Sequence, residues 1–172
     1  GGAAGLLAGI AAAWGGAQVT IYEKMRVPGK KMLITGKGRC NITNACEIPE
    51  FIKNIPGNGR FLNSALHRFT NDDIVLLLES HGLQTKVERG GRIFPVSDKA
   101  KDVVDTLVKI FTEAGGKLQL DTKVIEILAK DGHVTGVKTI SGVYPADAVI
   151  LAAMPASRPA APLPIIATFV IA

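Results

Sequence analysis

Only two cysteines, three histidines and one tryptophan are spread over 172 residues. Cys40 and Cys46 have no second pair at a metal-ligand spacing, and His67, His81 and His133 lie apart, so a metal enzyme is not expected. One possible disulfide is too little for a secreted scaffold, which leaves a reducing cytoplasm as the expected location. No apolar run is long enough to cross a bilayer. The closing stretch Ile165 to Ala172 is too short, and prolines at 155, 159, 162 and 164 break any longer helix before it. Residues 1–17 are small and apolar, yet no basic segment precedes them and glycines interrupt them, which argues against an export signal. There is also no Ser/His/Asp or Cys/His arrangement of a hydrolase, and no spaced pair of carboxylates. Any chemistry therefore belongs to a bound cofactor.

What the chain has in quantity is glycine, 19 residues, and a formal charge of +5. The lysines and arginines are distributed rather than blocked, so phosphate-bearing cofactors explain the excess as well as nucleic acid does. The first residues are the most informative. Gly1-Gly2-Ala3-Ala4-Gly5 opens an apolar helix, and the strand Val19 to Glu23 ends in an acid. In a dinucleotide-binding βαβ unit, glycines let a pyrophosphate approach a helix N-terminus, and an acid about 20 residues on accepts hydrogen bonds from the adenosine ribose. Gly2 and Gly5 fit the second and third glycines of that fingerprint. The first glycine and its strand would precede residue 1, and the chain begins without Met, so a fragment lacking a short N-terminal strand is expected. Leu6, Leu7, Ile10, Ala11 and Trp14 should form the buried face of the helix, which runs out at Gly15-Gly16. A packed α/β hairpin without ligand is the plainer alternative.

Lys24 to Asn44 reads as a basic, glycine-rich loop that is too polar for core. Helices are expected over about 61–68 and 72–81, the second opening with a Thr70-x-x-Asp73 capping pattern and stopping at Gly82. Residues 83–96 suggest two short strands around Gly90-Gly91. Ser97 or Asp98 should cap a helix that buries Val103, Val104, Leu107, Val108 and Phe111 and ends at Gly115-Gly116. A strand over 117–120 comes next, and residues 123–140 alternate about Asp131-Gly132, the pattern of a hairpin with a primed turn. The apolar run 148–152 suits a central parallel strand covered on both faces. The tail 153–172 has one charge, Arg158, and no periodic pattern, so it is expected to be disordered and prone to aggregation.

Three ordered motifs carry a family resemblance. These are Gly36-Lys37-Gly38-Arg39-Cys40-Asn41-Ile42-Thr43-Asn44, the stretch Asn58-Gly59-Arg60-Phe61 to Arg68-Phe69, and Glu88-Arg89-Gly90-Gly91-Arg92 to Ala100. Together they resemble the BaiN-like, aminoacetone oxidase-type FAD-binding oxidoreductases over roughly residues 1–152, the N-terminal part of such an enzyme. The resemblance implies an α/β, Rossmann-like FAD-binding domain of the glutathione reductase type with an antiparallel β-meander, incomplete at both ends. It divides the chain into a partial FAD/NAD(P)-binding domain, 1–152, and a divergent tail, 153–172. The cofactor implied is FAD, with NAD(P)H a candidate reductant of the full-length parent. The cofactor-binding residues implied are Gly1, Gly2, Ala3, Ala4, Gly5, Glu23, Lys24, Lys31, Gly38, Arg39, Cys40, Asn41 and Val124. Among them, Arg39 would neutralise pyrophosphate or reduced flavin, Asn41 would bond ring or ribitol oxygens, and Val124 would meet adenine through its backbone. Arg60 and Arg92 sit in motifs with tight turns, where either could meet an anionic group of substrate or cofactor, and structural ion pairs are the plainer expectation.

The chain departs from the family after Leu151-Ala152. Ala153-Met154-Pro155-Ala156-Ser157-Arg158-Pro159 stands where glycines should approach the cofactor, and a frameshift near codon 153 is the expected cause. The fragment is expected to be inactive, its parent passing a hydride or electron pair between a reduced donor and an unidentified small substrate. Two rivals differ in class. A basic nucleic-acid-binding module would use Lys30, Lys31, Lys37 and Arg39, but lacks interleaved aromatics. A nicotinamide-dependent dehydrogenase would need a Tyr-x-x-x-Lys pair, which neither Tyr22 nor Tyr144 supplies. No nucleic-acid or membrane partner is expected, and the sequence leaves the oligomeric state open.

Overall fold

The computed structural model describes residues 1–152 and the strand 167–171. Two compact units make up the chain: Gly1–Met32 with Leu107–Ala172, and Leu33–Thr106. In chain order the helices are α1 (Ala3–Trp14), α2 (Lys30–Ile34), α3 (Ile48–Lys53), α4 (Asn63–Arg68), α5 (Asn71–Ser80) and α6 (Ala100–Glu113). The strands are β1 (Val19–Glu23), β2 (Thr43–Asn44), β3 (Thr85–Glu88), β4 (Arg92–Pro95), β5 (Lys117–Gln119), β6 (Val124–Lys130), β7 (His133–Thr139), β8 (Val143–Pro145), β9 (Ala148–Leu151) and β10 (Ala167–Ile171).

The first unit is a Rossmann-like α/β body. Its sheet runs in the order β5-β1-β10-β9, with β5 parallel to β1 and β10 antiparallel to both of its neighbours. Helix α1 packs on β1 and β10. Its buried stripe is Gly5, Leu6, Gly9 and Ile10, not the stripe expected from its large residues: Leu7 is half-buried, Ala11 exposed, and Trp14 60% exposed. With Gly5 and Gly9 on the buried face, Trp14 lies outside it. It stops where Gly16 takes φ +88°, with the N–H groups of Gly15, Gly16 and Ala17 closing on carbonyls of Ala11, Ala13 and Ala12.

A second sheet in this unit joins β6, β7 and β8 in antiparallel order. Asp131 and Gly132 both have positive φ, +51° and +78°, as a primed two-residue hairpin turn requires. Tyr22, Val124, Val137 and Ala146 form a buried cluster, with Tyr144 and Val149 packed against it. The Tyr22 and Tyr144 rings meet at 5.3 Å between centroids and 49° between planes. Burial raises the Tyr22 phenol above its ordinary pKa, with Tyr144 adding to the effect.

The run 148–152 is the clearest correction. Strand β9 is an end strand, paired antiparallel to β10, and three of its four residues are exposed. Its apolar character fails to signal a central position because β10 stands between it and β1. Of the tail expected to lack structure, 153–166 and 172 lie outside the described residues, while 167–171 are the strand β10 itself.

The second unit holds the sheet β2-β4-β3, antiparallel throughout, and α3 to α5. Helix α5 carries the expected capping box: Thr70 Oγ1 accepts from the Asp73 N–H, and the Asp73 carboxylate accepts from the Thr70 N–H. Residues 59–62 form a 3-10 turn ahead of α4, which is shorter than expected and buries no residue. The stretch 24–44 is not all surface loop, since Met32 and Cys40 are buried.

Helix α6 buries Val103, Val104, Leu107, Ile110 and Phe111. Val108 is only half-buried, and Ile110 takes the inward place instead. Asp98 does not cap this helix. Its carboxylate accepts from Lys86, 2.6 Å away, and from Arg39, 3.3 Å away, while Ser97 Oγ meets the Lys99 N–H at 3.4 Å.

Candidate functional site: the glycine turn and the 35–44 loop

The start of α1 is open. Gly2 takes the N-cap position without a side-chain cap, no acid lies in the first turn, and Ala3 and Ala4 are exposed. The first intrahelical bond runs from the Leu6 N–H to the Gly2 carbonyl at 2.8 Å. The N–H groups of Ala3, Ala4 and Gly5 thus precede the first intrahelical bond at the positive end of the helix dipole, and a Cβ on Gly2 would meet nothing within 4 Å. That clear, donor-rich end fits a phosphate group.

Glu23 closes β1 beside this turn. Its Oε2 lies 3.0 Å from the Gly1 nitrogen, and its Oε1 accepts from the Met25 N–H at 2.9 Å. A Cβ on Gly1 would stand 3.0 Å from the Glu23 side chain, so the close approach calls for glycine. The Gly1 carbonyl accepts from the Gly29 N–H at 2.7 Å, which folds the 24–29 loop back onto the turn. At the same end, the N–H groups of Thr122 and Asp121 bond the carbonyls of Glu23 and Met25. Two residues further on, Val124 begins β6, with its side chain buried in the tyrosine cluster. Lys24 and Lys31 are exposed.

The remaining predicted residues lie in the second unit. Thr35 to Gly38 form a tight turn in which Gly36, Lys37 and Gly38 all have positive φ, and Cys40 follows at φ +61°. Such a run of left-handed backbone is costly for Lys37 and Cys40, and the surroundings hold it in place. A Cβ on Gly36 would strike the Phe94 ring at 2.8 Å. Arg39 bonds Glu88 at 2.7 Å and Asp98 at 3.3 Å, with its guanidinium 4.1 Å from the centre of the Phe94 ring. The bond to Glu88 is the main cause that raises the guanidinium further above its already high pKa.

Lys86 joins Asp98 at 2.6 Å, completing a four-membered ion network that the sequence did not announce. Cys40 is buried, and burial pushes its thiol pKa up, which disfavours a reactive thiolate. Asn41 is exposed. Both cysteines are free.

Beyond Asn44 lies a cavity of about 350 Å³ lined by Asn44, Cys46, Glu50, Phe51, Asn54 and Ile55. Its wall is firmly built. Buried Asn71 donates from Nδ2 to the carbonyls of Asn44 and Cys46 at 2.7 and 3.0 Å, and Asn44 Nδ2 donates to the Gly90 carbonyl at 2.7 Å. Its volume lies near the lower end of small-molecule sites, with two apolar side chains and the Glu50 carboxylate to offer a ligand. Sequence reading passed over this place because α3 has no motif and Asn71 lies far along the chain.

A glycine turn at an open helix end, with an acid closing the next strand, defines a Rossmann-like nucleotide-binding domain. The chain belongs to the HI0933-like protein family, whose Rossmann domain profile matches residues 1–161, and this family comprises BaiN-like FAD-binding oxidoreductases. The 3-dehydro-bile acid delta(4,6)-reductase of Clostridium scindens is 38% identical over 163 residues, covering 88% of this chain and 37% of that protein. The ribosomal RNA dihydrouridine synthase of Escherichia coli is 34% identical over 130 residues, covering 76% of this chain and 32% of that protein. The chain thus spans about a third of the length of these curated relatives. Among solved structures, THI4 of Thermovibrio ammonificans shares the fold at TM-score 0.51 and 17% identity, over 80% of this chain and 43% of that one. Among the described residues, no helix is long and apolar enough to cross a membrane.

Proposed function

We propose that this chain is the FAD-binding part of a flavin-dependent oxidoreductase of the glutathione reductase type. In this reading the Gly1–Gly5 turn holds the pyrophosphate and Glu23 the adenosine ribose. The observation that carries it is the close approach of Gly1 to the Glu23 side chain, which leaves no room for a Cβ, at the mouth of an uncapped helix N-terminus. The N–H groups of Ala3, Ala4 and Gly5 would bond phosphate oxygens, while the two Glu23 oxygens would accept from ribose hydroxyls. Val124 would offer its backbone to adenine, and exposed Lys24 and Lys31 would add positive charge near the phosphates.

Arg39, already paired with two carboxylates, acts in this reading by holding the loop, and it leaves Asn41 exposed for polar groups of the cofactor. When bound, the flavin supplies two-electron transfer between a reduced donor, for which NAD(P)H is the candidate, and a small substrate. Since the chain covers about a third of its relatives' length, the complete reaction needs residues outside it.

Binding tests the reading directly. The purified chain is mixed with FAD, freed of unbound ligand and scanned for the flavin's visible bands. Retained flavin, weakened about tenfold by Glu23→Gln, is expected, since a hydrogen bond to a charged group is worth roughly 1.5 kcal/mol. A folded protein that retains none, or a Glu23→Gln variant that binds as well as the unaltered chain, overturns it.

A further inference from the structure

Phe94 lies in β4, the middle strand of the sheet β2-β4-β3, and is 1% exposed. Two groups of the 35–40 turn meet its ring. The Arg39 guanidinium stands 4.1 Å from the ring centre, and a Cβ on Gly36 would come within 2.8 Å of a ring carbon. The same Cβ would lie 3.0 Å from the Asn41 backbone nitrogen. Gly36 is therefore a spacer without a side chain, close to both the Phe94 ring and the backbone of Asn41.

The turn does not place itself. Gly36, Lys37, Gly38 and Cys40 all have positive φ, a conformation that Lys37 and Cys40 adopt only at a cost. Local bonds close the turn, from the Arg39 N–H to the Gly36 carbonyl and from the Cys40 N–H to the Thr35 carbonyl. These fix its internal shape but not where it stands against the sheet. That comes from β4. The Ile42 N–H donates to the Ile93 carbonyl at 2.8 Å, and one residue along the strand Phe94 meets the turn. Glu88 and Asp98, at 2.7 and 3.3 Å, hold the Arg39 guanidinium over the ring. Exposed Asn41 leaves from the end of this stack.

We infer that Phe94 is the positioning residue of the loop: its ring, acting through Gly36 and Arg39, sets where Asn41 stands. An aliphatic side chain in its place removes the flat surface under the guanidinium and the contact with Gly36 together. The effect on FAD rests on the reading of Asn41 as a cofactor contact, whereas the seating of the turn is a property of the chain without ligand.

The experiment uses the full chain, Phe94→Leu, Asn41→Ala and the double variant. Without ligand, alkylation by iodoacetamide is followed at each cysteine by mass spectrometry. Buried Cys40 should react about tenfold faster in Phe94→Leu as the turn opens locally, while Cys46, its amide and carbonyl tied to Asn44 and Asn71, keeps its rate. If leucine loosens the whole unit, both rates rise, and Phe94→Met, which conserves volume without a flat ring, then gives the comparison in a folded chain. With FAD, Phe94→Leu and Asn41→Ala should each weaken retention about fivefold, as loss of one hydrogen bond does, and the double variant no more than either alone.

An unchanged Cys40 rate in Phe94→Leu overturns the seating, and so do Cys40 and Cys46 rising together in Phe94→Met. Losses that multiply in the double variant overturn the action through Asn41 and leave Phe94 as packing alone. If Asn41→Ala retains FAD as the unaltered chain does, the cofactor reading of Asn41 falls, and a chain that retains none sinks the proposed function. In either case the Cys40 rate still decides the seating.

Discussion

The side-chain oxygen of Asn44 lies 2.6 Å from where a Cβ on Gly91 would stand, and Gly91 itself has φ +72°. Two demands therefore fall on one position: a left-handed backbone, and room for the amide that ties Gly90 to Cys46. Gly91→Ala should destabilise the second unit by about 1–3 kcal/mol, since both strain and a displaced hydrogen-bonding amide contribute. Gly90→Ala, with positive φ but open space around it, should cost less. Paired thermal or denaturant melts decide the order, and equal losses would contradict it.

Asp98 is held below the usual carboxylate range, first by its bond to Lys86 and then by Arg39. A carboxyl whose folded pKa is lowered binds fewer protons when folded than when unfolded. Its stabilising effect is complete above the ordinary pKa, roughly 4, and is lost as pH falls through the lower folded value. Titration followed by NMR should show the Asp98 carboxyl moving upward in both Lys86→Ala and Arg39→Ala, and further in the lysine variant. A larger shift in the arginine variant would reverse the assigned order.

The capping box at the head of α5 offers a second acid-sensitive point. The Thr70 N–H is the largest cause lowering the Asp73 carboxyl pKa, with the Thr70 hydroxyl adding to it. Thr70→Ala should cost about 1 kcal/mol at neutral pH. Protonation weakens the wild-type box, so this cost should shrink on acidification below about pH 4. A penalty independent of pH would show that the bond from the Thr70 hydroxyl to the Asp73 carboxylate contributes nothing.

Gly116 is constrained by packing rather than by its backbone. A Cβ there would fall 2.2 Å from the ring of Phe111, a residue with no exposed surface. Gly116→Ala should therefore lower stability by roughly 1–3 kcal/mol through overpacking. The double variant Gly116→Ala with Phe111→Leu should lose less than the sum of the two single changes, a coupling that a double-mutant cycle measures.

Local signals carried well from sequence to structure. The capping box needed only Thr70 and Asp73, the hairpin turn only Asp131 and Gly132, and the glycine turn announced itself within five residues. What escaped the sequence was set by long-range partners. Arg39 finds Glu88 and Asp98 at separations of 49 and 59 residues, so neither motif could show that its charge was already spoken for. Strand β9 read as central because its apolar run gave no sign that β10 would separate it from β1. Trp14 read as buried because large apolar residues were expected to set the inward face, which Gly5 and Gly9 share with Leu6 and Ile10. The cavity wall depends on Asn71, 27 residues from the carbonyl it holds at Asn44, and an asparagine at the head of a helix carries no such message alone.

The hydrogen bonds that tie Thr122 and Asp121 to the end of β1 also give the hairpin a root. Seven-residue β6 leaves from that root, so the turn at Asp131-Gly132 stands roughly 20 Å along the strand from it. The hairpin is thus a lever whose short end is held by backbone bonds to Glu23 and Met25 and whose long end is a turn free to carry a label.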